Sequence, residues 1–580
     1  MIINKKNLLV FGLFFVISLI LTYPLITNIL HTIPGNSGDS FLYLWNQGWL
    51  KNCLTNFHNP YITNVIAYPF ESNLAFSALT MVNSLAGALL QLFLPSTLAF
   101  NIIFLLSLTL ASFFMYKLVF YLTTNYLVAF FAGIAFVYNS YLYGEMLGHF
   151  NYVSIYLIPL FILYLIKIYK EDKTKNSIIA GIILAASFYN DVYYTVSAFF
   201  LLIIFFIFIL FKGKTCILAK TKQLLILIIT WAVVSLPLLY FSLTGYFSGQ
   251  YPTPNIQQIN LYSPDIRSLF IPSRWQTLYG QQFKDYYANL IHHGGIIYLG
   301  YVLLILFIIG QFIKKPKNDF WLKSKPWLII GGFFLLASLG PFLYLHIKNL
   351  LIIPLPFFIL HFLPFVNGIL VPPRLIIFVI LVLVILASFS LTNILEKIKK
   401  QSIKIILIIL VIGLVVFENF SLPITTSSTD VPNFYQELAK DKNDFTILEL
   451  PFALSTSFYT IGSVASSSKL EYYQSIHHKK IMSAWLSRVP SDYPNFYNRI
   501  IGLSYLINPS AKLTDQEITQ IKDKTKLNFE KLNIRYIIIH PEYYTNEQLA
   551  NTIYFLNKIY GESKINIEGL LIYKNLSFKP

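Results

Sequence analysis

Charge is what this sequence has least of. Only 12% of its 580 residues are Asp, Glu, Lys or Arg, about half the roughly 25% of an average soluble domain. With 56% hydrophobic residues and a mean hydropathy of +0.61, a set of soluble domains would lack a polar surface, and intrinsic disorder is excluded by the same arithmetic. Cysteine is nearly absent. Cys53 and Cys216 are the two, too few for a disulfide framework or a Cys-based metal site. No Walker A sequence, G-x-S-x-G elbow, H-E-x-x-H or C-x-x-C occurs, so ATPase, lipase and zinc-protease readings fall away. No run of charged residues of the kind that marks proton relays lies within the apolar stretches, which weakens a proton-pump reading. The net charge of +17 is no nucleic-acid signal, because the basic residues gather in loops between those runs. A polytopic membrane protein remains.

A spanning helix needs about 20 mostly apolar residues. Runs of that kind lie at 8–30, 97–122, 124–142, 153–169, 176–190, 192–212, 223–242, 292–313, 327–346, 374–393 and 402–419. The first, Leu8 to Leu30, follows Lys5 and Lys6. It is longer than a signal-peptide core and reads as an uncleaved first span. Two more stretches are interrupted, 76–94 by Asn83 and Gln91, and 348–366 by Pro354, Pro356 and Pro364. Leaving both out of the count puts all four basic loops on one side: Lys167, Lys170, Lys173 and Lys175; Lys212, Lys214, Lys220 and Lys222; Lys314, Lys315, Lys317, Lys323 and Lys325; Lys397, Lys399, Lys400 and Lys404. By the positive-inside rule that side is the cytoplasm.

The expected fold is therefore mainly α: a multi-pass protein of the cytoplasmic membrane with about eleven transmembrane helices and its N-terminus inside. Residues 1–420 form the transmembrane domain, with interfacial helices in an outer loop at 31–96. Residues 421–580 are more polar. Strand-like runs Phe445–Leu450, Tyr536–His540 and Leu570–Tyr573 alternate there with helix-like Asp515–Lys522 and Asn546–Tyr560, which predicts an extracytoplasmic α/β domain.

Several polar groups would face the same side. Asp39, in Gly38-Asp39-Ser40, follows the first span and precedes an aromatic-rich segment with Tyr43 and Trp45. A half-sheltered carboxylate there suits a general base or a metal ligand, and capping of the next helix is the plain alternative. Glu145 and His149 are four apart, hence on one helical face, able to bind a metal, orient a substrate or form an ordinary surface pair. Asn151 follows them. Asp191 lies among Tyr189, Tyr193 and Tyr194, aromatics that more often form an interfacial belt than a sugar platform. Asp265 and Arg267 read first as a local salt bridge. His292 and His293 open a span. Arg374 follows Val371-Pro372-Pro373 and is either a bidentate phosphate ligand or a snorkelling side chain.

The order of these features resembles the GT-C superfamily of polytopic glycosyltransferases, which includes protein O-mannosyltransferases, aminoarabinose transferases and oligosaccharyltransferase catalytic subunits. The chain is most similar to prokaryotic members related to the protein O-mannosyltransferase, or family 39, type. The motifs are Gly38, Asp39 and Trp45; Gly148 and His149; Ser263, Asp265, Phe270, Pro272 and Ser273; and Leu339, Gly340, Pro341, Pro354, Leu355, Pro356 and Arg374. A weaker likeness reaches Leu448–Phe452 and Tyr473–Lys479. The chain departs in having Asp39-Ser40 where relatives often have Asp-Glu, and Glu145 in place of an Asp.

The resemblance implies transfer of a sugar from a polyprenyl-phosphate donor to a glycan, lipid or protein acceptor at the outer face of the bilayer, with no nucleic-acid partner. It makes Asp39 and Glu145 the catalytic candidates. His149, Asn151, Asp191, Asp265, Arg267, Arg374, Tyr43 and Trp45 become substrate-binding candidates. A divalent metal, Mg or Mn, is the candidate cofactor, with Asp39, Glu145 and His149 as its ligands. The alternatives are a non-enzymatic binder or transporter of lipid-linked glycans, and a degenerate transferase acting as a scaffold.

Overall fold

The computed structural model describes residues 5–36, 38–211, 214–288, 296–313, 319–346, 349–463, 467–562 and 565–575. His292 and His293, and the basic-loop residues Lys212, Lys314, Lys315 and Lys317, lie outside the described residues. Contacts divide the chain into two compact units. The first comprises Met1–Thr27, Ile102–Leu236 and Thr253–Thr425; the second comprises Asn28–Asn101, Pro237–Pro252 and Thr426–Pro580. The C-terminal residues are thus grouped with Asn28–Asn101 and a short central segment, a grouping that chain order alone does not show.

In the first unit the apolar runs are helical, but most are shorter than a bilayer is thick. Among the described residues of the whole chain, five helices are long and apolar enough to cross: Ser96–Thr123, Val192–Leu210, Ile217–Phe247, Pro372–Lys397 and Gln401–Glu418. The bent pair Tyr126–Val137 and Ser140–Met146 would make a sixth. The expected count of about eleven is therefore not reached by length. Runs 8–30 and 153–169 hold helices Lys5–Leu21 and Leu157–Lys170, of 17 and 14 residues. Run 327–346 holds Ser324–Ser338, which stops where Gly340 adopts φ +91° ahead of Pro341. Strand Phe342–His346 follows and pairs antiparallel with Asn349–Pro354. Neither interrupted stretch contains a crossing helix: 76–94 holds the 10-residue Met81–Leu90, and 348–366 holds that second strand and the short helix Pro356–Leu360.

Helix Ile376–Lys397 is the axis of the first unit. It is apolar on every face, and an all-round apolar helix belongs inside. Its most apolar window is 94% buried, against 22% for Gln401–Glu418, which leaves Ile406, Ile409 and Leu410 exposed. Tyr301–Phe312, Ser324–Ser338 and Tyr126–Val137 pack on the axis. Small residues allow the close approach: a Cβ at Gly310 would sit 1.9 Å from Ser390 Oγ, and one at Gly331 3.0 Å from Val382 Cγ1.

The second unit holds a five-stranded sheet in the spatial order Lys480–Ile481, Thr446–Leu450, Ile534–Ile539, Leu570–Lys574, Ile565–Ile567. The first three strands are parallel, and the last two are antiparallel additions. Thr446–Leu450 is buried along its whole length, as a parallel strand covered on both faces must be. Helices Asp515–Lys531 and Asn546–Tyr560 each begin with a capping box, Thr514 with Glu517 and Thr545 with Gln548, so their starts are written locally. The strands and helices read from the sequence in 445–573 are present within a few residues, except that the first helix runs on to Lys531. Helix Ser40–Asn56 packs along helix Ser467–His477 in the same unit.

Candidate functional site

Five of the expected site residues converge in the first unit. Asn139 caps helix Ser140–Met146, its Oδ1 accepting from the Leu142 N–H at 2.9 Å. That start sets Glu145 on the last turn. Glu145 Oε2 lies 3.2 Å from His149 Nδ1, as the four-residue spacing predicts. On its other side Oε1 lies 3.7 Å from Arg374 Nε. Arg374 arrives from the turn Pro372–Leu375 that opens the axial helix. Its Nη1 donates to the Tyr152 hydroxyl at 2.7 Å, and its guanidinium lies 3.9 Å over the Tyr152 ring and 5.4 Å from that of Tyr193. Tyr193 in turn accepts from the Leu370 and Val371 N–H groups at 2.9 and 3.2 Å, which holds the turn carrying Arg374. The side chains of Arg374 and Glu145 are 15% and 12% exposed. Arg374 is therefore not a snorkelling cation. It is sandwiched by aromatic rings and faces a carboxylate, and its Nε makes no hydrogen bond.

Beside them, Asn151 Nδ2 donates to Asp191 Oδ2 at 2.8 Å, and Asp191 Oδ1 accepts from the Tyr194 N–H at 3.0 Å. Asp191 thereby caps helix Val192–Leu210. The Tyr194 hydroxyl donates to the Tyr152 carbonyl at 2.9 Å. Tyr152 and Tyr193 are the partners that sequence reasoning missed. A tyrosine run at a membrane boundary carries the same pattern whether it forms an interfacial belt or a guanidinium clamp.

Asp265 and Arg267 form their own pair. Arg267 Nη2 lies 2.6 Å from Asp265 Oδ2, and Asp265 Oδ1 accepts from the Arg267 N–H at 2.9 Å. Here the plain reading of a local salt bridge is the observed one. Nearby, two motifs meet. A Cβ on Gly340 would fall 2.0 Å from Ser263 Oγ, at a φ of +91° that disfavours any other residue. We expect Gly340→Ala to destabilise the first unit by about 1–3 kcal/mol. Gly332→Ala, in a helix with nothing within 4 Å of the new methyl, should be neutral or slightly stabilising. Thermal melting in detergent compares the two, and equal shifts would remove the argument from this contact.

A cavity of about 450 Å³ opens beside the Phe270-Ile271-Pro272 segment, lined mainly by apolar and aromatic side chains including Tyr279, Tyr301 and Phe417. Glu418 is its acid, accepting from the Val302 N–H at 3.2 Å and from the Tyr298 hydroxyl and Tyr301 N–H. Sequence reasoning did not single it out, because it ends an apolar run without a motif.

Asp39, Tyr43 and Trp45 belong to the second unit. Asp39 precedes helix Ser40–Asn56 in an α-region conformation, and its side chain makes no capping hydrogen bond. The capping alternative is thus not the one adopted. Tyr43 and Trp45 are buried. Trp45 Nε1 donates to Gln474 Oε1 at 2.8 Å, so this indole is a packing residue of its unit and not an open sugar platform.

The metal expectation fits these residues poorly. Glu145 and His149 supply two donors, and the carboxylate already faces a fixed guanidinium. Among the described residues, no three His, Cys, Asp or Glu side chains gather as a metal-holding group.

Solved structures resemble the chain at the level of fold. Arabinofuranosyltransferase AftD from Mycobacteria aligns with 95% of this chain at a TM-score of 0.61 and 11% identity. The oligosaccharyltransferase of Archaeoglobus fulgidus aligns with 95% of it at a TM-score of 0.50 and 11% identity. The chain spans 38% of the length of the first and 70% of the second. The likeness to these two transferases is one of fold, and the narrower likeness to the family 39 type does not emerge from it. No curated protein matches the sequence. A family model does match it, over residues 46–418, and on that match the chain belongs to the family described as domain of unknown function DUF6311.

Proposed function

We propose that this chain is a membrane glycosyltransferase that moves a sugar from a polyprenyl-phosphate donor to an acceptor hydroxyl, at the outer face of the cytoplasmic membrane. The observation that carries the reading is Arg374. Its charge is kept in a sheltered aromatic clamp, and its Nε remains unbonded. A planar guanidinium held in this way suits a phosphate. His149 and Asn151 supply polar groups beside it for the sugar, and Glu145 holds the guanidinium in place. In the second unit, Asp39 is an acid whose side chain is not spent on capping its helix. It takes the role of base.

In this reaction the bond between the sugar's anomeric carbon and the phosphate oxygen breaks, and the acceptor oxygen bonds to that carbon. The acceptor proton passes to the Asp39 carboxylate. The leaving polyprenyl phosphate keeps the bonding electrons, and its charge is stabilised by Arg374. The surrounding apolar helices exclude the water that would hydrolyse the donor.

The test supplies purified protein with a panel of radiolabelled polyprenyl-phosphate sugars. Wild type should transfer or release the sugar from one of them, and Asp39→Asn should lower the rate by at least about 10²-fold. Full activity in a folded Asp39→Asn protein would exclude Asp39 as the base. Saturable binding of polyprenyl phosphate without turnover would point to a carrier.

A further inference from the structure

The cavity of about 450 Å³ in the first unit is walled by aromatic side chains: Phe270, Tyr279, Phe283, Tyr301 and Phe417. The rings of Tyr279 and Phe417 stand with centroids 6.2 Å apart, inclined at 44°. Both tyrosine hydroxyls are spent on backbone acceptors. Tyr279 donates to the Glu418 carbonyl at 2.8 Å, and Tyr301 to the Phe270 carbonyl at 2.5 Å. These bonds fix the two rings in the wall.

The acid of this cavity faces no cation. Glu418 is buried, and its carboxyl accepts from three neutral donors: the Tyr298 hydroxyl, the Tyr301 N–H and, at 3.2 Å, the Val302 N–H. Three donors turned to one carboxyl suit the ionised form, because a protonated carboxyl gives up an acceptor site to its own proton. An ionised carboxylate has about four such sites, so one is left over. Among the described residues that line the cavity, none is Lys, Arg or His. A negative charge therefore sits in an aromatic cup with no positive charge to balance it. That arrangement suits an ammonium ion, which is attracted to the ring faces while the carboxylate supplies the countercharge. An anion would be repelled by Glu418, and a purely apolar ligand would make no use of it.

The cavity is reached from an exposed apolar surface. Phe270, Tyr301, Leu414 and Phe417 are all exposed. Leu414 and Phe417 continue a stripe through Ile403, Ile406 and Leu410 at spacings of three and four, along one face of helix Gln401–Glu418. That helix is long and apolar enough to cross a membrane. From Ile403 to Phe417 the stripe rises about 21 Å, enough for an acyl chain to lie along it through one leaflet, half of a hydrocarbon core about 30 Å thick.

We infer that this cavity is a headgroup site for a membrane lipid that carries an ammonium group. The ammonium sits in the aromatic cup against Glu418, and an acyl chain follows the stripe from Phe417 to Ile403. The site is independent of sugar transfer.

Native mass spectrometry of the full chain, released from maltoside detergent, tests the site. The probes are phosphatidylethanolamine, phosphatidylglycerol and diacylglycerol with the same acyl chains. Phosphatidylethanolamine should bind at least about tenfold more tightly than either of the others, and tetramethylammonium ion should displace it. Glu418→Gln should abolish the preference. Glu418 also holds the 298–302 segment, so Phe417→Ala, at an exposed position, gives a reading that does not depend on that anchor. It should weaken phosphatidylethanolamine about tenfold and leave diacylglycerol little changed. Equal affinity for phosphatidylethanolamine and phosphatidylglycerol would overturn the inference. So would diacylglycerol binding as tightly as phosphatidylethanolamine, which would mark an apolar slot only, or a Phe417→Ala protein with the wild-type preference.

Discussion

Replacing Arg374 by alanine is expected to destabilise the first unit by about 3–5 kcal/mol. The size follows from what is left behind. Glu145, with a side chain 12% exposed, faces Arg374 Nε at 3.7 Å. Removing the guanidinium leaves that carboxylate sheltered from water with only the histidine beside it. The substitution also removes the 2.7 Å hydrogen bond to the Tyr152 hydroxyl and the ring contact at 3.9 Å. A desolvated cation–π contact alone is worth about 2 kcal/mol. Glu145→Gln together with Arg374→Met should recover most of the loss, since a neutral pair of similar volume carries no stranded charge. Arg374→Lys should recover less, because an ammonium lacks the planar face that lies on Tyr152. Thermal unfolding in detergent, followed for wild type and all three variants, separates these effects. A double variant no more stable than Arg374→Ala would show that packing, and not the uncompensated charge, sets the cost.

The second large effect lies in the sheet of the second unit and depends on pH. Thr446–Leu450 and Ile534–Ile539 are parallel neighbours, so Glu449 near the end of one strand meets His540 just past the end of the other. His540 Nε2 lies 2.9 Å from Glu449 Oε2, and the Tyr435 hydroxyl reaches both Glu449 oxygens at 3.0 Å. His540 Nδ1 lies 3.7 Å from Glu542 Oε1. Burial draws the His540 pKa down, but the hydrogen bonds and charges of Glu449 and Glu542 outweigh it and lift the value to about 9. A histidine raised in the folded state contributes its stability in full below its unfolded pKa, near 6.5, and loses it as pH rises through about 9.

The sheet should therefore open more readily at pH above about 9 than at neutral pH, with His540→Gln removing the dependence. Glu449→Ala should cost about 3–5 kcal/mol at neutral pH, by stranding His540. His477 behaves oppositely. Burial, reinforced by the charges of His478 and Lys479, pulls it to about 3, so its contribution is lost as pH falls from near 6.5 toward 3. Hydrogen exchange of peptides covering 446–450 and 534–540 resolves these local openings. Unchanged protection on the alkaline side, or a His540→Gln protein with the wild-type profile, would refute the assignment.

Local rules explain what could be read without a fold. The Glu145–His149 pair is legible from four-residue spacing alone, because helical periodicity is a property of adjacent turns. The Asp265–Arg267 bridge is legible for a different local reason: opposite charges two residues apart meet where Asp265 caps a short turn and accepts the Arg267 N–H. Capping boxes at Thr514 and Thr545 mark helix starts that the structure keeps. The departures from the motif pattern are also local facts.

By itself the sequence determined the membrane class, through scarcity of charge and long apolar runs, and the alternation of strands and helices near the C-terminus. Hydropathy counts apolar residues, however, and does not say where a helix stops. Tertiary structure decided that several runs hold helices of 17 residues or fewer, that 94% of the most apolar window of the axial helix is buried within protein, and that Arg374 faces Glu145. These pairings join residues far apart in the chain. Only packing chooses such partners, because no periodic rule connects one segment to another that it meets in space.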